Sequence, residues 1–225
     1  MQRFWHRGKL IMIDQLIRPH LRAGSRLLEI GCGAGNLLLQ ATVPGSYPVA
    51  LDLSMQALTF VRSRLEEAQS TPTAPSGFTC TQAIGESLPF REDSFDCVLL
   101  SEVIEHLEVP QISIREAMRV LCPGGRLLIT TPNYRSFWPL MEWAVDRMNM
   151  APRMAGEQHI SRFHPSSLKK MLLESGLRME YAGSIYSLSP FLSLMSSERA
   201  THQLQHELRE RSPWGMILVA VAVKP

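Results

Sequence analysis

The ten residues Arg26–Gly35, RLLEIGCGAG, constrain the fold more than any other stretch of the chain. Residues 27–30 are mostly apolar and predict a buried strand. The three alternating glycines that follow permit a tight turn whose backbone N–H groups can approach a ligand closely. A helix predicted to begin near Asn36 would point its N-terminus at the same place. The pattern therefore predicts a strand, a turn and a helix that together hold a cofactor.

The glycine spacing and Glu29 separate two classes of cofactor. Nicotinamide- and flavin-binding proteins carry GxGxxG, and their helix N-terminus receives a pyrophosphate. Here the spacing is GxGxG, and Asn36 stands where the third glycine of that fingerprint would be. Glu29, two residues before the first glycine, would repel a phosphate. These features favour a cationic ligand, with a nicotinamide-dependent oxidoreductase as the alternative.

The motif Glu29-x-Gly31-x-Gly33-x-Gly35 resembles the first motif of the class I methyltransferases. Their cofactor, S-adenosylmethionine, carries an ammonium and a sulfonium. Asp52, at the end of the next apolar run, resembles the acid that binds the ribose in this family, and a carboxylate suits two hydroxyls because both its oxygens accept. The resemblance runs from about residue 25 to the C-terminus. It implies an α/β fold with a doubly wound, Rossmann-like sheet of seven mostly parallel strands, the last of them antiparallel between its neighbours.

The same resemblance implies cofactor contacts at the ends of successive strands. The implied residues are Glu29, Gly31, Cys32, Gly33, Gly35, Asp52, Leu53, Gly85, Glu86, Ser101 and Glu102. The segment from Gly85 resembles the loop that holds the adenine end. Ile84 stands where many family members carry an Asp, so Glu86 and a backbone carbonyl are both candidate acceptors for the adenine amino group.

A second motif, Glu102-x-x-Glu105-His106, follows the predicted fourth strand. If a helix begins there, these three side chains share one face and can hold a divalent cation such as Mg²⁺. The motif resembles the ExxEH metal site of small-RNA 2′-O-methyltransferases and of ubiquinone-pathway O-methyltransferases, in which a later His completes the site; His159 matches it. Alternatively, His106 or His159 is a general base for a hydroxyl acceptor. The pattern also occurs in members of the superfamily not thought to use metal.

Strands and helices alternate along the chain, which predicts one domain over residues 1–225. An N-terminal helix is expected over residues 1–22, and Arg7 or Lys9 on it either faces the cofactor's carboxylate or is part of a solvated basic helix end. Residues 131–164 break the alternation and predict a helical insertion after the fifth strand. Its Met and Trp side chains either pack on the domain or form a lid over a substrate pocket. The charged segment 197–211 predicts a solvated surface helix.

Composition excludes several classes of protein. The chain has 225 residues with 45% hydrophobic and 20% charged, and its net charge of +2 forms no basic stripe, which argues against a nucleic-acid partner. The four cysteines form no CxxC pair and are expected to be core residues in a reducing compartment. No apolar run reaches the roughly 18 residues of a membrane span, and no signal peptide is evident, so a cytoplasmic protein is expected.

The sequence thus predicts methyl transfer from S-adenosylmethionine to a small apolar acceptor, with O-methylation favoured over C- or N-methylation. A quinone, a polyketide or a lipid-like molecule would suit the Met- and Trp-rich insertion. The alternative from another class is a non-catalytic binding subunit with a methyltransferase-like fold. The sequence does not specify the oligomeric state.

Overall fold

A computed structural model describes residues 2–71, 74–147, 158–193 and 196–225. Seven strands within these residues form one sheet in the order β3-β2-β1-β4-β5-β7-β6. The strands are β1 Arg26–Ile30, β2 Tyr47–Asp52, β3 Thr79–Gln82, β4 Phe95–Ser101, β5 Leu121–Pro132, β6 Arg178–Ile185 and β7 Ile217–Val223. The predicted seven-stranded, mostly parallel sheet is confirmed.

Helices cover both faces of this sheet. They are α1 Gln2–Leu16, α2 Asn36–Ala41, α3 Met55–Gln69, α4 Pro110–Val120, α5 Trp138–Arg147, α6 Pro165–Glu174, α7 Ser189–Leu192 and α8 Ser197–Glu210, with short 3-10 helices at Arg18–His20 and Ile104–His106. One buried cluster joins α1, α2, α3 and α8 to one face of the sheet, and a second joins α4 and α6 to the other. Because both faces are covered, the central strands are apolar along almost their whole length.

The order of the strands places the candidate site. β1 pairs in parallel with both β2 and β4, so the connections that follow β1 and β4 leave the sheet in opposite directions. Ligands of open α/β sheets bind in the crevice beyond the carboxyl ends of the strands at such a reversal. β7 pairs antiparallel with β5 and with β6, as the resemblance implies.

Several predicted helix boundaries are confirmed and others are wrong. Ser54 caps α3, as expected, since its side chain accepts from the Ala57 amide. The helix predicted over residues 1–22 ends at Leu16, because Pro19 lacks an amide hydrogen and its ring restricts the preceding residue. The segment 197–211 is not merely a solvated surface helix: α8 buries an apolar face that also contains Glu207.

Part of the predicted insertion is described. Residues 138–147 form α5, whereas Met148, Met150 and Met154 lie outside the described residues. Trp138 and Met141 pack against the core, while Trp143 is 61% exposed. All four cysteines are free thiols. In the described part of the chain, no helix has the length and apolar character needed to cross a membrane.

Candidate active site

The glycine turn between β1 and α2 has the geometry that its sequence predicts. Gly31, Gly33 and Gly35 all have positive φ, at 67°, 49° and 67°. A Cβ on Gly31 would come within 2.6 Å of Val103, and one on Gly35 within 2.9 Å of Val61. The first and third glycines therefore allow both an unusual backbone and close packing, whereas a Cβ on Gly33 would meet nothing within 4 Å.

A cavity of about 110 Å³ lies against this turn. Its lining includes Lys9 from α1, Glu29 from β1, Gly31 and Cys32 from the turn, and Ser101 from the end of β4. The structure thus brings together five residues that the sequence placed at or over the cofactor. Arg7, the other candidate on α1, instead donates to the Ser197 hydroxyl at 2.8 Å.

Glu29 is the buried acid of this cavity. Its side chain is 3% exposed, and one carboxyl oxygen accepts from the Leu38 amide at 3.1 Å. Burial raises the pKa of Glu29 to about 8, while the Leu38 amide and the charge of Lys9 act in the opposite direction. Glu29 also lines the cavity, where a ligand can reach it. A cation bound there would restore the ionised form, which is the electrostatic property expected for the ammonium of the cofactor.

Asp52 lies at the carboxyl end of β2, where the ribose-binding acid was predicted. One of its oxygens accepts from the Gly33 amide at 2.9 Å and the other from the Ser54 amide at 2.8 Å. Each carboxylate oxygen has a second lone pair, so two ligand hydroxyls can still be accepted. Leu53, the next residue, is 67% exposed and offers an apolar surface beside the acid.

The end of β3 carries the residues predicted for the adenine end of the cofactor. Gly85 packs tightly, since a Cβ there would lie 3.0 Å from Ile30 and 3.2 Å from the Ser113 hydroxyl. Ile84 is 48% exposed, and Glu86 is half-buried. Both acceptors left open by the sequence, Glu86 and the backbone, therefore stay candidates.

The residues after β4 do not form the predicted helix. Glu102 has a left-handed φ of 55°, and only the short 3-10 helix Ile104–His106 follows. Glu102, Glu105 and His106 therefore do not share one helical face, and that prediction is wrong. The side chain of Glu102 instead forms a 2.8 Å ion pair with Lys9. Ser101, the last residue of β4, shares a 2.8 Å hydrogen bond with Thr130 on β5.

Glu105 is a second buried acid. Its side chain is 1% exposed and accepts from the Thr131 hydroxyl at 3.0 Å. Burial raises the pKa of Glu105 to about 8, which Glu102 increases further and which Thr131 and Lys9 oppose. The charge of Lys9 thus lowers the pKa of both buried acids, Glu29 and Glu105.

His106 and His159 lie side by side, with ring centroids 5.3 Å apart. The Nδ1 of His106 lies 2.6 Å from the Gln158 carbonyl oxygen, and the Nδ1 of His159 lies 2.7 Å from the Glu142 carboxylate. Since a carbonyl and a carboxylate only accept, both Nδ1 atoms donate, and in the neutral form of each ring Nε2 is the acceptor. The structure thus brings together the two histidines that the sequence analysis named.

Three partners of these residues were not predicted from the sequence. Tyr134 donates to Glu142 at 2.8 Å and lies 3.1 Å from the Nδ1 of His159. Thr131 bonds Glu105, as described above. The position of Glu142 on α5 relative to His159 depends on how the insertion folds back, and no local spacing encodes it. A weak signal existed for Thr131, because it follows Thr130 at the end of a strand on the cofactor side.

Glu105, His106 and His159 each offer one ligand atom, and these atoms all lie within 4.8 Å of one another. Among the described residues, this group matches part of the metal site that the sequence suggested. Glu102 is not in the group, because the turn at its left-handed backbone directs it to Lys9.

Comparison with known proteins agrees with this geometry. A family model described as "Methyltransferase domain" matches residues 28–129, the part of the chain that contains the glycine turn, Asp52 and the residues after β4. The ubiquinone biosynthesis O-methyltransferase of Chromobacterium violaceum is 26% identical over 178 residues, which cover 78% of this chain and 74% of that protein. Residues 28–129 therefore match a methyltransferase domain, and this match together with the relatives indicates an S-adenosylmethionine-dependent methyltransferase.

Two further sequence relatives differ in how much of their length matches this chain. The methyltransferase is 28% identical to the ubiquinone/menaquinone biosynthesis C-methyltransferase of Pseudomonas savastanoi pv. phaseolicola over 195 residues, covering 78% of this chain and 72% of that one. It is 30% identical over 131 residues to an uncharacterized 37.1 kDa protein in a transposon of Streptomyces fradiae, covering 57% of this chain. The methyltransferase spans only 35% of the length of that transposon protein.

A solved structure shows the same fold. The S-adenosylmethionine-dependent methyltransferase of Thermotoga maritima superposes with a TM-score of 0.68 at 19% identity, covering 99% of this chain and 90% of that one. The antiparallel strand and the helices on both faces therefore belong to a common architecture.

Proposed function

We propose that the methyltransferase transfers the methyl group to a hydroxyl of a small, partly apolar acceptor that binds beside His106 and His159. The observation that carries this proposal is the buried pair of His159 and Glu142, 2.7 Å apart, beside the residues that follow β4. A hydroxyl acceptor of pKa near 10 gains from a positioned base, and histidine is the usual one.

The cofactor contacts are assigned by the chemistry of each side chain. Glu29 accepts from the ammonium of the methionine moiety, and Lys9 binds its carboxylate. Asp52 accepts from the ribose hydroxyls, with Leu53 against the adenosine, and Gly85 and Glu86 lie at the adenine end. The backbone of Gly31, Cys32, Gly33 and Gly35 follows the cofactor closely, and Ser101 and Glu102 border the methyl-transfer side.

His159 is the proposed catalytic base. Its Nδ1 donates to Glu142, so its Nε2 takes the proton of the acceptor hydroxyl as the oxygen attacks the methyl carbon in line with the departing sulfur. Glu142 stabilises the imidazolium that forms, and Tyr134 fixes the carboxylate by donating to the same oxygen. The histidine ring is 6% exposed, which shields this proton transfer from water. Positioning of the two reactants supplies much of the remaining rate.

The group Glu105, His106 and His159 also fits a divalent cation such as Mg²⁺. Both histidines donate from Nδ1 to an oxygen, which is the usual arrangement of histidines that bind a metal through Nε2. Glu105 adds a carboxylate within 4.8 Å of both. Bound there, the cation would polarise the acceptor hydroxyl and lower its pKa. Glu102, paired with Lys9, is the member of the predicted set that the geometry does not support.

The acceptor class follows from the insertion and from the relatives. Phe137, Leu140 and Trp143 are 66%, 62% and 61% exposed at and along α5, the helix whose Trp138 packs against His159 with ring centroids 6.0 Å apart. Two relatives carry ubiquinone biosynthesis in their names. A quinone precursor with a phenolic hydroxyl is therefore our preferred acceptor, ahead of a polyketide or a lipid-like molecule. The cytoplasmic location, the single domain over residues 1–225 and the lid role of residues 131–164 stay predictions.

The test is methyl transfer from labelled S-adenosylmethionine to a matched panel of a catechol, an aniline and a phenol with its hydroxyl blocked. We expect label on the catechol oxygen, and loss of at least about a hundredfold in kcat for His159→Ala. Repeating the assay after chelation and again with Mg²⁺ separates base from metal catalysis. Label on nitrogen or carbon contradicts O-methylation. Binding of S-adenosylhomocysteine without turnover on any acceptor favours the binding-subunit alternative.

A further inference from the structure

The turn after β6 contains a buried tyrosine in an unusual backbone conformation. Tyr186 is fully buried, and its φ is 69°, in the left-handed region. A large side chain adopts that region only rarely, and such conformations persist where the surrounding contacts determine them. Two sets of contacts do so here, one to the backbone of Tyr186 and one to its ring.

Glu207 on α8 holds the backbone of this turn. Its carboxylate is 2% exposed and accepts from the amides of Tyr186 at 2.7 Å, Ser187 at 3.2 Å, Leu188 at 3.0 Å and Ser189 at 3.0 Å. The Ser189 hydroxyl adds a fifth bond at 3.1 Å. Hydrogen bonds to a buried carboxylate are stronger than neutral ones. Glu207 therefore fixes the left-handed turn and the direction of the Tyr186 ring.

The ring of Tyr186 lies directly against Gly8 of α1. A Cβ on Gly8 would overlap the Tyr186 Oη and lie 2.7 Å from both Cε1 and Cζ. Tyr186 also shares a buried cluster with Met12 and Ile13 of α1. A glycine inside a helix costs helical stability, so its presence at position 8 has a packing reason: it lets α1 lie against the ring.

Lys9, the residue after Gly8, reaches the cofactor cavity. Its ammonium lies 2.8 Å from Glu102, and its side chain lines the cavity with Glu29. The charges of Glu102 and Glu207 both raise the pKa of the Tyr186 phenol, after the larger effect of burial. The depth at which α1 docks on Tyr186 therefore sets the position of the Lys9 ammonium.

We propose that Tyr186, fixed by Glu207, is a positioning residue that seats α1 at Gly8 and thereby places Lys9 at the cofactor's carboxylate. The inference deepens the proposed function, because it rests on the assignment of Lys9 to that carboxylate. Tyr186 itself touches no reacting atom. It acts through the helix.

The docking step is tested by hydrogen exchange on α1. Gly8→Ala raises intrinsic helix propensity, so any loosening of α1 must come from the contact with Tyr186. We expect at least about tenfold faster amide exchange in residues 9–16 for Gly8→Ala. Adding Tyr186→Leu, which removes the overlapping ring atoms, should return exchange to the level of Tyr186→Leu alone. Adding Tyr186→Phe, which keeps Cε1 and Cζ, should not.

The link to the cofactor is tested by a double-mutant cycle on the Kd of S-adenosylhomocysteine, measured by calorimetry. Lys9→Met should weaken binding about tenfold, as expected for a charge-assisted hydrogen bond. Gly8→Ala should weaken it by a similar factor, and the double variant should lose no more than either single variant, because both remove the same contact. Higher salt should weaken binding to the wild type more than to Gly8→Ala.

The positioning role of Tyr186 and the assignment of Lys9 to the cofactor's carboxylate can be refuted separately. Unchanged exchange of α1 in Gly8→Ala, or an equal rescue by Tyr186→Phe and Tyr186→Leu, overturns the positioning role of Tyr186. If the wild type and Lys9→Met bind S-adenosylhomocysteine equally tightly, the assignment of Lys9 to the cofactor's carboxylate is overturned. An additive, roughly hundredfold loss in the double variant shows that Gly8 and Lys9 act independently and refutes the link between them.

Discussion

Glu29 offers a direct test of the cofactor site, because its carboxyl must change ionisation when a cation binds. Burial raises its pKa to about 8, so at pH 7 about 90% of the ligand-free protein carries the protonated acid. The ammonium of the cofactor favours the carboxylate and lowers this pKa. Binding therefore releases a proton below pH 8, and affinity rises as the pH rises toward that value.

The magnitude follows from the same pKa. Between pH 6 and pH 8 the Kd of S-adenosylhomocysteine should fall about fiftyfold, and about 0.9 proton should be released per molecule bound at pH 7. Calorimetry in buffers of different ionisation enthalpy measures both quantities. Glu29→Gln should bind weakly with no dependence on pH or buffer. Glu105→Gln, which removes the other acid of similar pKa, should keep the slope. A wild-type Kd that is constant from pH 6 to pH 8 would refute the reasoning.

Three further outcomes are expected. Above pH 4.5 Glu29 ionises in the unfolded chain but stays protonated in the folded protein up to about pH 8, so its raised pKa destabilises the native state in this range. Glu29→Gln should therefore stabilise the ligand-free protein at pH 7 by up to about 3 kcal/mol, measured by urea unfolding. This gain should vanish below about pH 4. Gly35→Ala, with φ of 67° and Val61 at 2.9 Å, should cost about 1–3 kcal/mol, and Gly33→Ala, whose Cβ meets nothing within 4 Å, should cost less in the same assay. Glu142→Gln should lower kcat at least about tenfold while the Kd of S-adenosylhomocysteine changes less than about twofold, since Glu142 orients the proposed base and lies outside the cofactor cavity; equal effects on both would place Glu142 in the cofactor site.

The sequence predicted most reliably what local patterns encode. Ser54 and the periodic residues after it gave both ends of α3, and the alternating glycines gave the turn with three positive φ values. Asp52 was identified from its resemblance to the ribose-binding acid of the family, at the end of the apolar run that forms β2. Each of these predictions depends on residues close together in the chain.

Contacts between residues far apart in the chain could not be predicted from local sequence patterns. The ExxEH spacing suggests a helix, but Glu102 adopts a left-handed backbone and pairs with Lys9, which lies in another helix. The charged sequence of α8 suggests a solvated helix, yet Glu207 is buried because four amides of a remote turn require an acceptor. His159 was found from its similarity to a motif, whereas its partner Glu142 depends on tertiary folding.

The position of β7 has a consequence for the order in which the chain can fold. β6 joins the sheet through β7, which begins 32 residues after β6 ends (217 − 185). Until residues 217–223 have left the ribosome, the hydrogen-bonding edge of β5 therefore has no partner on that side. An exposed strand edge is a template for pairing with other chains. The nascent protein is therefore most vulnerable to aggregation in the interval between synthesis of β5 and of β7, and truncations within that interval should be insoluble even though they contain the whole glycine turn and Asp52.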